Sequence, residues 1–413
     1  MPDTVIIGAG AAGMAAAYAA ARRGLAVVMT ERNSRPGRKL MITGKGRCNL
    51  TNACGLDEFL ENVLHSGRFL YSALTAFGPK DTMDFFEGLG VPLKIERGKR
   101  VFPVSDKASD IVDALAGCVS GAGCRMINGR VKSVDIASGC VRGVMLDSGE
   151  KISAGSVIVC TGGMSYPLTG STGDGYEIAR SAGHTVIPPR ASLVPLVISE
   201  QWPRELQGLT LKNVTLEAID SKNGRTVFSE LGEMLFTHFG VSGPLVLSAS
   251  SRMRDMSPGR YTLVIDLKPG LSPEQLDARL RRDFLKYSNR DYINSLGSLL
   301  PAKLVPVFVR LSGIDPHEKA NQLTRAQRGQ ICTLMKHIEM KVEVTRPIDE
   351  AIITSGGVKT SEIDPRTMES KLVKGLYFAG EVLDVDAYTG GFNLQIAFST
   401  GMAAGRAVRG APK

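Results

Sequence analysis

The stretch TVIIGAGAAGMAAAYAAARRG, residues 4–24, decides the fold. Thr4 to Ile7 form a short apolar run, Gly8, Gly10 and Gly13 follow in G-x-G-x-x-G spacing, and an alanine-rich segment continues until Gly24 stops it. An apolar run of that length bounded by glycine reads as a buried strand and the alanines as a helix, so the order is strand, turn, helix. A second apolar run, Ala26 to Thr30, ends in Glu31, about 20 residues beyond the glycines, where a dinucleotide-binding βαβ unit carries its ribose-binding carboxylate. The residue types have physical reasons. Gly8 makes the tight turn, Gly10 with Ala12 beside it lets backbone approach phosphate oxygens, and Gly13 lets helix pack on strand. The helix N-terminus then offers unpaired N–H groups and partial positive charge to a pyrophosphate. Glu31 would repel a 2′-phosphate, which argues against NADP at this position.

The rest of the chain bounds the class. At 413 residues, 43% hydrophobic and 22% charged, it has the composition of a globular protein and the length for two or three domains. No run approaches the roughly 18 to 20 apolar residues of a membrane span, and the N-terminus lacks the basic, apolar and cleavage regions of a signal peptide. Seven cysteines, an odd number without C-x-x-C pairs, argue against a disulfide framework or a structural zinc site and point to a reducing cytoplasm; no metal site is expected. The net charge of +9 invites a nucleic-acid reading, but much of it is local, in Arg32, Arg35, Arg38, Lys39, Lys45 and Arg47. Aromatic residues are not interleaved with these cations, which speaks against nucleic acid and for an anionic cofactor.

FAD suits that cofactor better than NAD. A nicotinamide dehydrogenase would continue in regular βαβ units, whereas here RPGRKLMITGKGRCNLTN, residues 35–52, is a basic, glycine-rich loop that reads as unsuited to a core. It can bend round a long cofactor, with Arg32, Arg38, Lys39 and Arg47 toward the pyrophosphate and Gly46, Cys48 and Asn49 toward the ring system. SVIVCTGG, residues 156–163, is an apolar strand ending in a close-approach turn at Thr161 and Gly162, and GLYFAGE, residues 375–381, is another, ending in Gly380 and Glu381, suited to a ribityl chain. Gly391, Asn393, Leu394 and Gln395 open a helix running to Ala407, whose N-terminus would favour an anionic reduced flavin. Val131 is counted with these cofactor contacts.

The motifs GAGAAG (8–13), RPGRKLMITGKGRCNLTN (35–52), LFTHFGVSGP (235–244) and GLYFAGEVLDVDAYTGGFNLQIAFSTG (375–401) resemble those of the YhiN/BaiN-like flavoproteins, NAD(P)/FAD-dependent or aminoacetone-oxidase-type enzymes. The resemblance implies an α/β chain with a discontinuous Rossmann-like FAD-binding domain, an inserted β-barrel-like subdomain and a helical subdomain. The expected segments are 1–190 and 339–413 for the cofactor domain, 191–270 for the β subdomain and 271–338 for the helices. The residues agree: Gly208 to Ile219, Arg225 to Phe228 and Tyr261 to Leu267 alternate like short strands, and Ser272-Pro273-Glu274-Gln275 is a capping box opening helical patterns up to His337. Gly170 to Gly175 is similar to a segment of the fumarate-reductase group, but its residues read first as a helix start capped by Thr172 or Asp174.

A bound flavin leaves the protein to supply a proton donor or base. His238, in the glycine-rich turn FTHFGVSGP (236–244), is the first candidate and Tyr388 the second. Cys48 and Cys54 raise a disulfide-reductase reading, against which stand their C-x5-C spacing and the lack of a second complete G-x-G-x-x-G for NADPH. Reduction of an activated C=C bond of a small organic substrate ranks first, with the electron donor open between transiently bound NAD(P)H and a reduced carrier. Oxidation of a small amine is the alternative, followed by a flavin-containing nucleic-acid-associated or redox-sensing role. Nothing in the sequence sets the oligomeric state.

Overall fold

In the computed structural model, which describes residues 1–410, Thr4–Ile7 (β1), Val27–Glu31 (β2), Arg125–Asn128 (β3), Ser156–Val159 (β4) and Leu376–Phe378 (β5) form one sheet. Its order is β3-β2-β1-β4-β5 and each neighbouring pair is parallel. Apart from the edge strand β3, these strands are buried at each position, as a sheet covered on both faces requires, which is why they read as unbroken apolar runs. The order reverses between β1 and β4, and a doubly wound sheet binds its ligand beyond the carboxyl ends of the strands at that switch point. The sheet belongs to a unit made of residues 1–192 and the chain from Ile348 onward. The last three residues of the expected 339–413 segment lie outside the described residues.

Helix α1 (Ala11–Ala21) is buried at all positions but Tyr18 and Ala21, because alanine lets it pack on all sides. The short α2 (Arg38–Ile42), α3 (Asp174–Ser181) and the C-terminal α4 (Phe392–Ala407) complete the elements that bear on the site. A Cβ on Gly401 or Gly405 of α4 would overlap the carbonyl oxygens of Ala12 and Ala16, so glycine there sets how closely α1 and α4 approach. Asp174 begins α3, but the cap is Gly173 (φ +85°) and no side chain caps the helix, which corrects the reading of Thr172 or Asp174 as its cap.

Leu193–Pro347 forms a second unit. Its strands close a barrel in the order 196–198, 240–242, 225–236, 210–220, 261–266, 338–345, which leaves no sheet edge unpaired. In the hairpin of Thr210–Asp220 and Arg225–Phe236, Leu211, Val214, Leu216 and Ala218 face the interior, with a bulge at Asn213 (φ +55°) where the register shifts. The second hairpin strand runs eight residues past the Phe228 expected from the sequence. Between the last two strands lie the helices Pro273–Lys286, Val305–Ser312 and Arg325–Lys336. Ser272 and Gln275 form the reciprocal capping box at the start of the first. Ile338–Thr345 closes the barrel, so the chain returns to the first unit at Ile348 rather than at residue 339.

Candidate functional site

The carboxyl ends of β1, β2, β4 and β5 gather the Gly8–Gly13 turn, Glu31, Thr161–Gly162 and Gly380–Glu381 at one edge of the sheet. Gly8 has φ +99°, and a Cβ there would lie 2.6 Å from the carbonyl oxygen of Cys160; one on Gly13 would overlap the carbonyl oxygen of Gly8. Gly10 differs, because nothing lies within 4 Å of an added Cβ. Open space therefore faces the N-terminus of α1, which no side chain caps, so the first N–H groups of α1, Ala12 among them, are available to an anion. Glu31 is 8% exposed. Its Oε2 accepts from the Ala9 N–H at 2.8 Å, and its Oε1 from the backbone and side-chain N–H groups of Asn33, both at 2.8 Å. The carboxylate thus braces the glycine turn and, with about four acceptor positions, has one left over.

The basic loop is more ordered than its composition suggests. It forms α2 and a turn at Thr43–Gly46, with Gly44, Lys45 and Cys48 left-handed, and buries Leu40, Cys48 and Leu50, which corrects the reading of it as unsuited to a core. Two of its cations, Lys39 and Arg47, and the preceding Arg32 are committed within the unit. Arg32 reaches Thr172 and Asp174, Lys39 donates to Glu381 and Ser165 at 2.6 Å each, and Arg47 pairs with Glu96 and Asp106 while lying 4.2 Å from the Phe102 ring centroid. Arg38 bonds the Asn33 side chain at 3.0 Å, and among the described residues Arg35, Arg38 and Lys45 form no ion pair. Arg32, Lys39 and Arg47 were expected to bring charge to a pyrophosphate; carboxylates of the same unit neutralise them instead. Gly46 (φ +82°) closes the turn.

Burial pushes the Cys48 thiol up to about 12 and that of Cys54 up to about 11, and neither cysteine is in a disulfide, so a redox dithiol has no reactive thiolate here. With its thiol enclosed, Cys48 has only backbone to offer a cofactor, as does Val131, buried at the start of the strand Val131–Ala137. The hydroxyl of Thr161 is enclosed without a partner, where a Cβ on Gly175 would overlap it, so Thr161 and the left-handed Gly162 (φ +73°) also present backbone.

At the other end of the chain, the Glu381 carboxylate holds Lys39, the Ser165 hydroxyl at 3.2 Å and the Thr354 N–H at 2.9 Å, so it stitches three segments rather than standing open to a ribityl chain. Gly380 (φ +80°) follows β5, and Gly390 (φ +125°) and Gly391 (φ +99°) lead into α4. A Cβ on Gly391 would overlap the backbone of Thr51, and the Asn49 side-chain oxygen lies 3.0 Å from the Gly391 N–H as its acceptor. Asn393 accepts from the Ala387 N–H at 2.9 Å and donates to the carbonyls of Ala387 and Tyr388. Leu394 is half-buried. Gln395 is wholly buried and bonds Thr51, the Phe77 carbonyl and Ser399, which corrects its assignment to the cofactor: one turn into the helix its side chain points to the core.

Tyr388 is half-buried on the loop between β5 and α4, its N–H donating to the Asn62 carbonyl at 3.0 Å. His238 lies in the barrel unit, exposed at the tip of the turn closed by the Thr237 N–H and the Gly240 carbonyl at 2.8 Å, with its ring edge-on to Phe239. One cluster escaped the sequence reading. His65 bridges Asp384 and Asp386, and the signal was the pair of aspartates two residues apart, which in extended chain share one side and call for a cation.

These residues fit FAD: an open, uncapped glycine turn for a diphosphate, a carboxylate with acceptor capacity for a ribose, and a second glycine-started helix in the same unit. The sequence matches the HI0933-like protein Rossmann domain over residues 2–407. The chain belongs to that family. This HI0933-like protein is therefore a Rossmann-fold flavoprotein and an FAD-dependent oxidoreductase, in the group that its motifs resemble. It is 33% identical over 417 residues to a 3-dehydro-bile acid delta(4,6)-reductase of Clostridium scindens, covering 98% of this chain and 99% of that protein. It is 34% identical over 404 residues to a ribosomal RNA dihydrouridine synthase of Escherichia coli, covering 97% and 96%. Among solved structures, the apo Sdh1 complex of Mycobacterium smegmatis shares the fold at TM-score 0.52 and 17% identity, covering 100% of this chain and 69% of that one. No helix among the described residues is long and apolar enough to cross a membrane.

Proposed function

We propose that this flavoprotein reduces a C=C bond conjugated to a carbonyl in a small organic substrate, with NAD(P)H as the transient electron donor. Bound FAD supplies a two-electron carrier between donor and substrate. The Gly8–Gly13 turn and the N-terminus of α1 would hold its diphosphate, Glu31 a ribose, and the backbone at Thr161–Gly162, Gly380 and Gly391 the remainder. The N-terminus of α4 would favour negative charge nearby. Tyr388 would hold the proton for the substrate carbon at its Oη, with His238 as the alternative donor at a ring nitrogen. The likeness to the Clostridium scindens reductase along nearly the full length of both chains supports the reaction class. The observation that carries the choice of a small substrate is the internal pairing of Arg32, Lys39 and Arg47, which neutralises three of the six cations between residues 32 and 47 and so weakens the basic field a polyanion would use. The seven cysteines, none in a disulfide, support a reducing compartment such as the cytoplasm.

The second reading is a uracil base in RNA, also a C=C conjugated to a carbonyl, favoured by the likeness to the Escherichia coli synthase and by the exposed Arg281, Arg282, Lys286 and Arg290 along and just past one helix of the barrel unit, with Tyr287 among them. Anaerobic bleaching of the flavin by NAD(P)H, then reoxidation against enones, amines and a ribosomal RNA transcript, separates the readings. Reoxidation by enones supports the proposal, by the transcript alone the second reading. Bleaching by amines in place of NAD(P)H sinks both.

A further inference from the structure

His65 lies between the helices Leu56–Glu61 and Gly67–Ala76, on a loop that runs alongside the Tyr388 loop. The Leu64 N–H donates to the Asp386 carbonyl at 2.9 Å, the Tyr388 N–H to the Asn62 carbonyl at 3.0 Å, and Val63 forms a bridge with Ala387. The imidazole crosses this ribbon. Its Nε2 lies 2.9 Å from Asp384 Oδ1 and its Nδ1 2.7 Å from Asp386 Oδ1. A neutral imidazole has one donor and one acceptor, so only the protonated ring, with two N–H groups, satisfies both carboxylates. Asp386 is 2% exposed and its carboxylate is further held by the Ser192 and Ser355 hydroxyls at 3.0 and 3.4 Å, from the strands Val186–Ser192 and Ile353–Val358. Burial, together with the charges of Glu381 and Asp384, pushes the hydroxyl of Tyr176 in α3 up, so it stays neutral. Two carboxylates and one imidazolium, backed by neutral hydroxyls, are therefore the charged groups of the cluster. Removing the cation would leave Asp386 buried without an ion pair, and the Asp384–Tyr388 loop would lose the side-chain cross-link that reinforces its backbone hydrogen bonds.

We propose that His65 is a positioning residue which, as an imidazolium bridging Asp384 and Asp386, fixes the loop that carries Tyr388 into the start of α4. The catalytic consequence rests on the Tyr388 reading above, whereas the clamp itself does not. Burial pulls the His65 pKa down, but the hydrogen bonds to Asp384 and Asp386, and their charges, outweigh it and raise it to about 9. The clamp is thus closed at neutral pH and opens as the ring loses its proton.

Hydrogen exchange of the flavin-loaded protein, read on a peptide spanning residues 383–392 and corrected for intrinsic rates, tests this without substrate. In the wild type, protection of the Ala387 and Tyr388 amides falls as pH rises through about 9. His65→Gln, which cannot carry charge, has low protection at each pH and no step. Asp384→Asn, which keeps the imidazole but removes one charge, moves the step to lower pH. With an enone substrate, His65→Gln lowers kcat roughly tenfold to a hundredfold at pH 7, with KM little changed and the flavin spectrum retained, as displacement of a reacting group by about 1 Å would do. Wild-type protection with an unaltered step in His65→Gln overturns the proposal; if that variant does not accumulate, an unmoved step in Asp384→Asn does. A lost step together with no enone turnover in any protein, wild type included, supports the clamp and counts against the reductase reading alone.

Discussion

The glycine turn at the sheet edge and the Thr237–Gly240 turn of the barrel look alike in sequence, yet they differ in what their neighbours demand. Around the first, Gly8 and Gly13 are forced by backbone atoms they would strike, while Gly10 faces open space before an uncapped helix. In the second, Gly240 (φ +154°) is equally forced, with Leu196 O 2.5 Å from an added Cβ, but the residue of chemical interest, His238, is exposed and makes no hydrogen bond among the described residues. The geometry of the first turn is set by its backbone, so its shape is written in glycine spacing. The other is shaped only as a turn, and a side chain at its tip gains no assignment from the surrounding geometry.

The largest expected effect comes from breaking the first turn. Gly13→Ala drives a methyl into the Gly8 carbonyl, so urea unfolding should show a loss of about 3 kcal/mol or more and the purified protein should be colourless. Gly10→Ala is the control, keeping stability within about 1 kcal/mol while weakening FAD; undiminished affinity there would remove the anion from that gap. Tyr388→Phe should lower turnover about a hundredfold with full flavin content, and unaltered turnover would take Tyr388 out of the mechanism. For the paired histidine the effect is a pH dependence of stability. Its folded pKa, about 9, lies above the ordinary 6.5, so its contribution is complete below pH 6.5 and is lost as pH rises through about 9. Tm should fall across that window in the wild type, and this part of the fall should be missing in His65→Gln. The smallest effect is in the barrel turn. His238→Ala should leave stability within about 0.5 kcal/mol and flavin content unchanged, and only a drop in turnover would give that turn a catalytic part.

Much of the fold was legible. The strands β1, β2, β4 and β5 and the helices α1 and α4 lie within a residue or a few of where apolar runs and glycines place them, because buried parallel strands and glycine-started helices leave a local signature. The closing barrel strand was assigned to the wrong unit, since Ile338–Thr345 alternates like any half-buried strand and its partners, 196–198 and 261–266, are remote in sequence. The charged residues were the least legible. Arg47, Lys39 and Arg32 read as cofactor ligands from their clustering, but their carboxylates come from Glu96, Asp106, Glu381 and Asp174, up to hundreds of residues away.

The sequence by itself determined the Rossmann unit, its Gly8–Gly13 turn and the place of Glu31 at the end of β2, because each depends on glycine conformation and on periodicity within a single strand-turn-helix segment. Only the tertiary structure decided which cations are already neutralised, that Gln395 faces the core, that Cys48 and Cys54 are enclosed, and that His65 joins two aspartates more than 300 residues later. Ion pairing and burial are properties of which segments meet, and no local pattern of residues carries that information.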